Sequence, residues 1–441
     1  MEAVRRICQA EGGAFILSGS AGCGKTFTLN IIMKVLERLY QKRGKIFNPC
    51  VLAPTGKAAK VAHTVTKLPA YTIHMALGLV SSEDDSAIQA PSKNINNNCI
   101  VVDEFSMVDE YIGATLLLGV PKTSKVIFLG DPQQLPSIRP GRLLKDLISS
   151  NTIPVITLDV VKRQDAKSGI LHNANRIIQG QDIDTFAPNQ NGTKGNAYVI
   201  ADEDPASVQS RIISMADQYG LKAFQDGDVQ ILCSLKAGPT GVETLNYCIQ
   251  QKLNPESGSN EIVVGRIKLK DADGRETEAP KVFRIGDCVI NIRNNYDQPW
   301  CIKTKHNTFM ETLGTRGVIN GDTGVVDAIS VYKDGSGMTH RIVYVKYEDH
   351  YVSYDNEYED LMLAYALTIH KSQGSQWPNV ICPMVQDSFI LNRKILYTMY
   401  TRAQESCMLL GSPYIIRKTI QNNREDLRLT LLEERLLGRL S

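Results

Sequence analysis

Residues 15–26 read Phe-Ile-Leu-Ser-Gly-Ser-Ala-Gly-Cys-Gly-Lys-Thr, an apolar run that breaks into glycines and closes on Gly-Lys-Thr. No other stretch restricts the fold as much. Gly19, Gly24, Lys25 and Thr26 stand at the spacing of a phosphate loop, G-x-x-x-x-G-K-[ST], which lies between a buried strand and the first turn of a helix. In such a loop Gly22, Cys23, Gly24, Lys25, Thr26 and Phe27 offer backbone N–H groups to phosphates. The Lys25 ammonium reaches the terminal phosphates, and the Thr26 hydroxyl binds Mg²⁺. A helix over about 27–40 turns its positive end on the same spot. The plain alternative is a glycine-rich turn that matches by chance, but such a turn has no use for both a flanking strand and a flanking helix.

With 441 residues the chain is too long for one core, and two to four domains are expected. Lys and Arg number 49 against 47 Asp and Glu, so a nucleic-acid surface has to be a local groove and not a global charge. The ten cysteines form no C-x-x-C pair, which points to free thiols in a reducing compartment and excludes a disulfide or zinc scaffold. The only metal implied is the Mg²⁺ of a nucleotide. The run Leu361 to Ile369 falls far short of the ~20 residues a bilayer requires, and no secretory signal is evident. A cytoplasmic protein without a membrane partner is expected.

Two further strands repeat the pattern of the first. Cys50 to Ala53 ends in Pro54-Thr55-Gly56-Lys57, a strand-to-helix turn whose N–H groups and hydroxyl could grip a phosphodiester or simply cap a helix. His74, after Thr72-Ile73, is either a capping or core residue or a nucleic-acid contact. Residues 81–98 are polar and weakly patterned, a surface excursion or inserted hairpin. Ile100 to Val102 then delivers Asp103 and Glu104 side by side at a strand end. There Asp103 would hold Mg²⁺ through water and Glu104 would polarise an attacking water. Val126 to Leu129 leads to Gly130-Asp131-Pro132-Gln133-Gln134, where Gln134 could reach a γ-phosphate. Strands alternating with helices, each ending in polar residues, require a parallel, doubly wound α/β sheet.

The set GSAGCGKT, APTGKAAK, TIH, DEFSMVD and GDPQQLPSI, in this order, closely resembles the superfamily 1B DNA helicases, and within them the RecD-like family. The second half agrees. Val161-Lys162-Arg163-Gln164 resembles the motif whose arginine faces the γ-phosphate. Gln230 to Ser234, with Lys236 to Gly241 and Leu245-Asn246, resembles the start of the second motor domain. Thr368 to Gln376 (TIHKSQGSQ) resembles the stretch linking nucleotide to strand, with Thr368 and His370 toward DNA and Gly374 and Gln376 toward nucleotide. Arg402, in LYTMYTRA, resembles the finger that completes the ATP site.

The resemblance implies two RecA-like P-loop NTPase domains. The first spans 1–156 with a small insertion about 79–98. The second spans 157–261 and 353–441, and an SH3-like β-barrel is inserted at 262–352. From pattern alone, 262–352 shows short alternating strands with Gly, Asp and Asn turns. The resemblance covers the motor core without the N-terminal region of longer members. It further implies ATP and Mg²⁺ as cofactors, single-stranded and tailed duplex DNA as partners, a monomer, and 5′ to 3′ movement driven by ATP hydrolysis. A translocating subunit of a nuclease complex, a nucleotide-gated binding module and a small-molecule P-loop kinase are the competing readings. The tail from Asn422, with leucines near helical spacing, is expected as a closing helix on the second motor domain, or else as a partner-binding helix.

Overall fold

A computed structural model describes all residues except 1, 21, 80–89, 159–167, 185–195, 257, 259, 272–274, 349, 357, 425–427 and 441, and the side chains of 315 and 316. Residues 1–167 with 423–441 form one compact unit, and 168–422 form a second. Arg163 and most of the 81–98 excursion lie outside the described residues.

The first unit is built on strands apolar on both faces. β1 (Gly13–Ser18), β2 (Pro49–Ala53), β3 (Ala70–Thr72), β4 (Cys99–Val102), β5 (Lys125–Gly130) and β6 (Val155–Thr157) form one sheet in the order β3-β2-β4-β5-β1-β6. All its pairings are parallel. Alternate residues go to opposite cores. Ile16, Leu52, Ile100, Val102 and Phe128 line one, while Phe15, Leu17, Val51, Val101 and Ile127 line the other. Such a sheet is stable only with helices on both sides. These are α1 (Glu2–Gln9), α2 (Lys25–Lys42), α3 (Gly56–Thr66), α4 (Ile73–Leu77), α5 (Glu110–Gly119) and α6 (Leu143–Ser150). Lys125 is buried at the start of β5, and its ammonium donates to the carbonyls of Ile7 and Ala10 at the end of α1.

In the second unit, α7 (Gly169–Ile178), β7 (Ala197–Ala201), α8 (Pro205–Asp226), β8 (Val229–Cys233) and α9 (Val242–Leu253) lead into nine strands. β9 (Glu261–Lys270) and β10 (Glu276–Arg284) make a two-stranded antiparallel ribbon. β11 (Cys288–Asn291), β12 (Asn295–Lys303), β13 (Phe309–Val318), β14 (Thr323–Lys333), β15 (Thr339–Lys346), β16 (Tyr351–Asp355) and β17 (Leu361–Leu363) make an antiparallel sheet, ordered β13-β12-β16-β15-β14-β11-β17. The alternating strands expected over 262–352 are present. The SH3-like barrel is not confirmed, because among the described residues the end strands β13 and β17 do not pair with each other. The chain then returns through β18 (Ala366–Thr368), β19 (Trp377–Met384), α10 (Arg393–Arg402), β20 (Ala403–Gly411) and α11 (Pro413–Gln421) to complete a second parallel sheet, β18-β8-β19-β20-β7.

The tail departs from expectation. Among the described residues of the tail, α12 (Leu432–Leu436) is the one α-helix, and Leu432 and Leu436 pack on the core of the first unit, beside Leu143, Leu144 and Leu147. Residues 423–441 therefore belong to the first unit and not to the second. Among the described residues no helix is long and apolar enough to cross a membrane, and all ten cysteines are free.

Candidate active site

The loop after β1 takes its shape from three glycines. Gly22 (φ +81°) and Gly24 (φ +84°) adopt left-handed conformations that disfavour a side chain. A Cβ on Gly19 would stand 2.4 Å from the Cys23 sulfur. Gly24 caps α2 with no side-chain bond, so the N–H groups of Lys25, Thr26 and Phe27 stay with the loop. The Phe27 ring itself points to solvent, which leaves that residue only its backbone to contribute. The Lys25 ammonium folds over the loop and donates to the carbonyls of Gly19 (2.6 Å) and Ser20 (3.1 Å). Burial pushes the Cys23 thiol above its ordinary range, so it is a packing group and not a nucleophile.

β4 lies two strands from β1, and its end carries the acids. Asp103 Oδ1 accepts from the Glu104 amide at 2.8 Å. Glu104 sits at φ +48°, ψ +40°, a left-handed conformation that costs about 1–2 kcal/mol for a residue with a Cβ. That turn separates the two carboxylates, which a continuing strand would also do, and in addition ends the strand at once. The Asp103 carboxyl is pushed up to about 6, first by burial and then by the Glu104 charge, with Lys25 opposing both. A cation beside it would relieve this. The Thr26 hydroxyl and the Asp103 carboxylate are hard oxygen donors, a set that fits a nucleotide-borne Mg²⁺.

At the end of β5, Asp131 is 1% exposed and accepts from the Gln133 amide at 2.9 Å, while the Gln134 amide bonds the Asp131 carbonyl at 3.1 Å. This turn buries Gln134. The Gly19 amide donates to the Gly130 carbonyl (3.3 Å), which ties the phosphate loop to the same strand end.

In the second unit, Arg402 at the end of α10 is 2% exposed and donates through Nη1 to the Ser375 carbonyl at 3.0 Å. Gln376 Nε2 reaches the Thr401 carbonyl at 3.4 Å. The fold thus brings Arg402 together with the Gly374-Ser375-Gln376 loop. The Ser375 hydroxyl is buried without a hydrogen-bond partner, an unmet group of the kind a bound ligand satisfies.

The residues expected to grip a strand divide. Thr55 caps α3, its Oγ1 accepting from the Ala58 amide at 3.2 Å, as a plain strand-to-helix turn requires. Pro54 precedes it, half-buried. His74 is half-buried in the first turn of α4, whose cap is Thr72. Thr368 is buried and accepts from the Lys371 amide at 3.4 Å, whereas His370 is exposed.

Three residues gain weight only from the structure. Asn246, on α9, bonds the backbone of β17 and β18 three times. Lys236 and Lys371 follow β8 and β18, which run parallel with Cys233 opposite Thr368. Lys371 is half-buried, and burial together with the charge of Lys236 pulls its ammonium below the ordinary range. Two ammoniums so placed suit a phosphate. The spacing from two parallel strand ends is the only sequence signal that could have paired them.

A phosphate loop on one doubly wound sheet, and a buried arginine bound to a Gly-Ser-Gln loop on another, define a P-loop NTPase with RecA-like α/β units. The comparisons with known proteins specify it further. A family model described as "AAA domain" matches residues 1–192, and one described as "UvrD-like helicase C-terminal domain" matches 363–410. The chain is 28% identical over 420 residues to the ATP-dependent RecD2 DNA helicase of Deinococcus radiodurans, covering 95% of this chain and 50% of that one. It is 28% identical over 460 residues to the RecBCD enzyme subunit RecD of Mycolicibacterium smegmatis, covering 96% and 72%. The crystal structure of the Candida albicans Pif1 helicase shares the fold, with TM-score 0.53, 19% identity and 97% and 96% coverage. The chain is thus similar to proteins named as RecD2 and RecD, and it spans half the length of the Deinococcus relative.

Proposed function

We propose that this chain is the motor of an ATP-dependent DNA helicase that moves 5′ to 3′ on single-stranded DNA, as a cytoplasmic monomer. The observation that carries the reading is the convergence in the first unit. The Lys25 ammonium folds over the phosphate loop, and its charge reaches an Asp103 carboxyl that burial and Glu104 have raised to about 6. Lys25 and the loop amides bind the phosphates, and Glu104 orients and polarises the attacking water. Gln134 responds to the γ-phosphate. Mg²⁺ held by Thr26 and Asp103 supplies neutralising charge on phosphate oxygens when bound. Arg402 and Arg163 are assigned the charge that develops on the transferred phosphoryl group. Gly374 and Gln376 belong with the nucleotide. His370, Thr368, Pro54, Thr55 and His74 belong with the strand, and the Lys236–Lys371 pair joins them as a phosphodiester contact.

The domain boundaries at 156/157, 261/262 and 352/353 remain part of this proposal, with 262–352 as an inserted β module and the 81–98 excursion as the duplex-parting element. A second reading, a translocating subunit of a nuclease complex with weak unwinding alone, is favoured by the relatives named as RecD subunits. Unwinding of matched 5′-tailed and 3′-tailed duplexes tests both. Robust ATP-dependent unwinding of the 5′-tailed substrate alone supports the helicase. Single-strand-stimulated ATPase without unwinding supports the subunit reading, and the absence of both refutes the motor.

A further inference from the structure

The loop between β5 and α6 carries Gln134 at its start and has little regular structure of its own beyond Leu135. Ser137 Oγ donates to the Arg139 carbonyl (2.9 Å), and Arg142 Nε donates to Asp146 (2.7 Å) in the first turns of α6. The Glu110 amide reaches the Pro140 carbonyl at 3.5 Å, and a further tie to the middle of the loop comes from the far end of the sequence. Arg428 Nη1 donates to the Ser137 carbonyl at 2.8 Å, and it also lies within reach of the carbonyls of Gly141 (3.3 Å) and Arg139 (3.5 Å). Two residues on, Thr430 Oγ1 donates to Asp146, the fully buried carboxylate that also takes Arg142. Two residues further, Leu432 begins the apolar contact with the α6 core. The tail therefore fastens the loop in its middle, fastens α6 just beyond it, and anchors itself in the core.

We propose that residues 428–436 act as a strap that positions the Gln134 loop, with Arg428 the positioning residue for ATP turnover. Three carbonyl oxygens turned toward one point repel one another, and a guanidinium between them reverses the sign of that interaction. Without it residues 137–141 keep the Ser137–Arg139 and Glu110–Pro140 bonds but lose the contact that joins three of their carbonyls, and Gln134, which follows the Asp131 turn, loses part of its fixed approach to the nucleotide. Small displacements of an aligning group cost rate far more than binding. The role in turnover rests on the ATPase reading above, but the fastening of the loop does not.

The test uses the full chain with Arg428→Ala and, should alanine disturb folding, Arg428→Lys, which keeps a cation but loses the planar fork. Amide hydrogen exchange is followed without nucleotide or DNA, and single-strand-stimulated ATPase in parallel. The expected result is exchange at 133–141 faster by about tenfold in Arg428→Ala, with β1 and β4 unchanged and lysine restoring part of the protection. Alongside it, kcat falls by about tenfold while KM for ATP and single-strand affinity stay within about twofold. Unchanged loop exchange, or exchange accelerated evenly across the first unit, overturns the strap. So does a kcat that survives a loosened loop. A wild-type chain without any stimulated ATPase would instead sink the motor reading, with the exchange result still deciding whether Arg428 holds the loop.

Discussion

Asn246→Leu should unlatch the strand that leads into the Thr368–Gln376 stretch. Asn246 is 4% exposed. Its Nδ2 donates to the carbonyls of Leu363 (3.1 Å) and Ala366 (3.0 Å), and its Oδ1 accepts from the Ala366 amide (2.8 Å). Leucine fills much the same volume and makes none of these bonds, leaving one amide and two carbonyls inside the protein. Each bond lost costs about 1 kcal/mol, and an orphaned buried group raises that to about 1–3 kcal/mol. The carbonyls keep a second lone pair for other partners, so the sum belongs near the lower end, about 3–4 kcal/mol. The chain has two tryptophans, Trp300 and Trp377, and both lie in the second unit, so urea unfolding followed by tryptophan fluorescence reads that unit alone. With a slope of about 3 kcal/mol per molar urea, the midpoint should fall by about 1 M. Asn246→Asp separates bonding from volume: it keeps the acceptor but turns a carboxylate oxygen toward two carbonyls, and should do at least as much harm. A fall of less than about 0.3 M for the leucine variant, or an aspartate variant as stable as wild type, would refute the reasoning.

Lys25→Ala should abolish ATP turnover while single-strand affinity, read by fluorescence anisotropy, stays within about twofold, because the ammonium folds onto the loop carbonyls and the proposed site gives it the phosphates and not the strand; equal loss of both contradicts the assignment. Asp103 titrates near 6 against an ordinary 3.8, so the folded protein holds that proton more tightly than the unfolded chain, and the stability it gains below about 3.8 is lost as pH rises through about 6. Mg²⁺ binds only the ionised form, and the rise in Tm given by Mg²⁺ with nucleotide should therefore be larger at pH 7.5 than at pH 5. Equal rises at both, or the same pH dependence in Asp103→Asn, would count against Asp103 as the magnesium carboxylate.

The first sheet was readable from the sequence because its strands are apolar on both faces. Short runs such as Ile100-Val101-Val102 and Val126 to Leu129 cannot be half-exposed, and each stops at a polar cluster. The strand-end candidates were readable for the same reason, since Asp103 and Gln134 follow where a continuous apolar run stops and Lys25 follows the glycines after such a run. Contacts made to backbone carbonyls were not. Asn246 and Arg428 bond carbonyls that every residue possesses, so nothing in the partner's sequence marks them. The alternation over 262–352 announced antiparallel strands but could not say whether the sheet closes, because closure depends on hydrogen bonds between its end strands and not on which face is apolar.

The placement of the tail turns on the same distinction between non-directional and directional forces. Leucines at 431, 432, 436 and 440 provide a stripe that any apolar surface would accept, since burial of hydrocarbon is indifferent to the identity of the partner. Only Leu432 and Leu436 are packed into a core, while Leu431 and Leu440 stay exposed, so burial here is too small to choose between two α/β units. The choice falls to the polar pair. Asp146 is fully buried, with Arg142 donating to one carboxyl oxygen and Thr430 to the other. Arg428 meets three carbonyls of one loop, a set that a plain apolar surface does not offer. Thr430 and Arg428 thus add directional contacts that two partly buried leucines do not supply, and these tie the segment to the first unit.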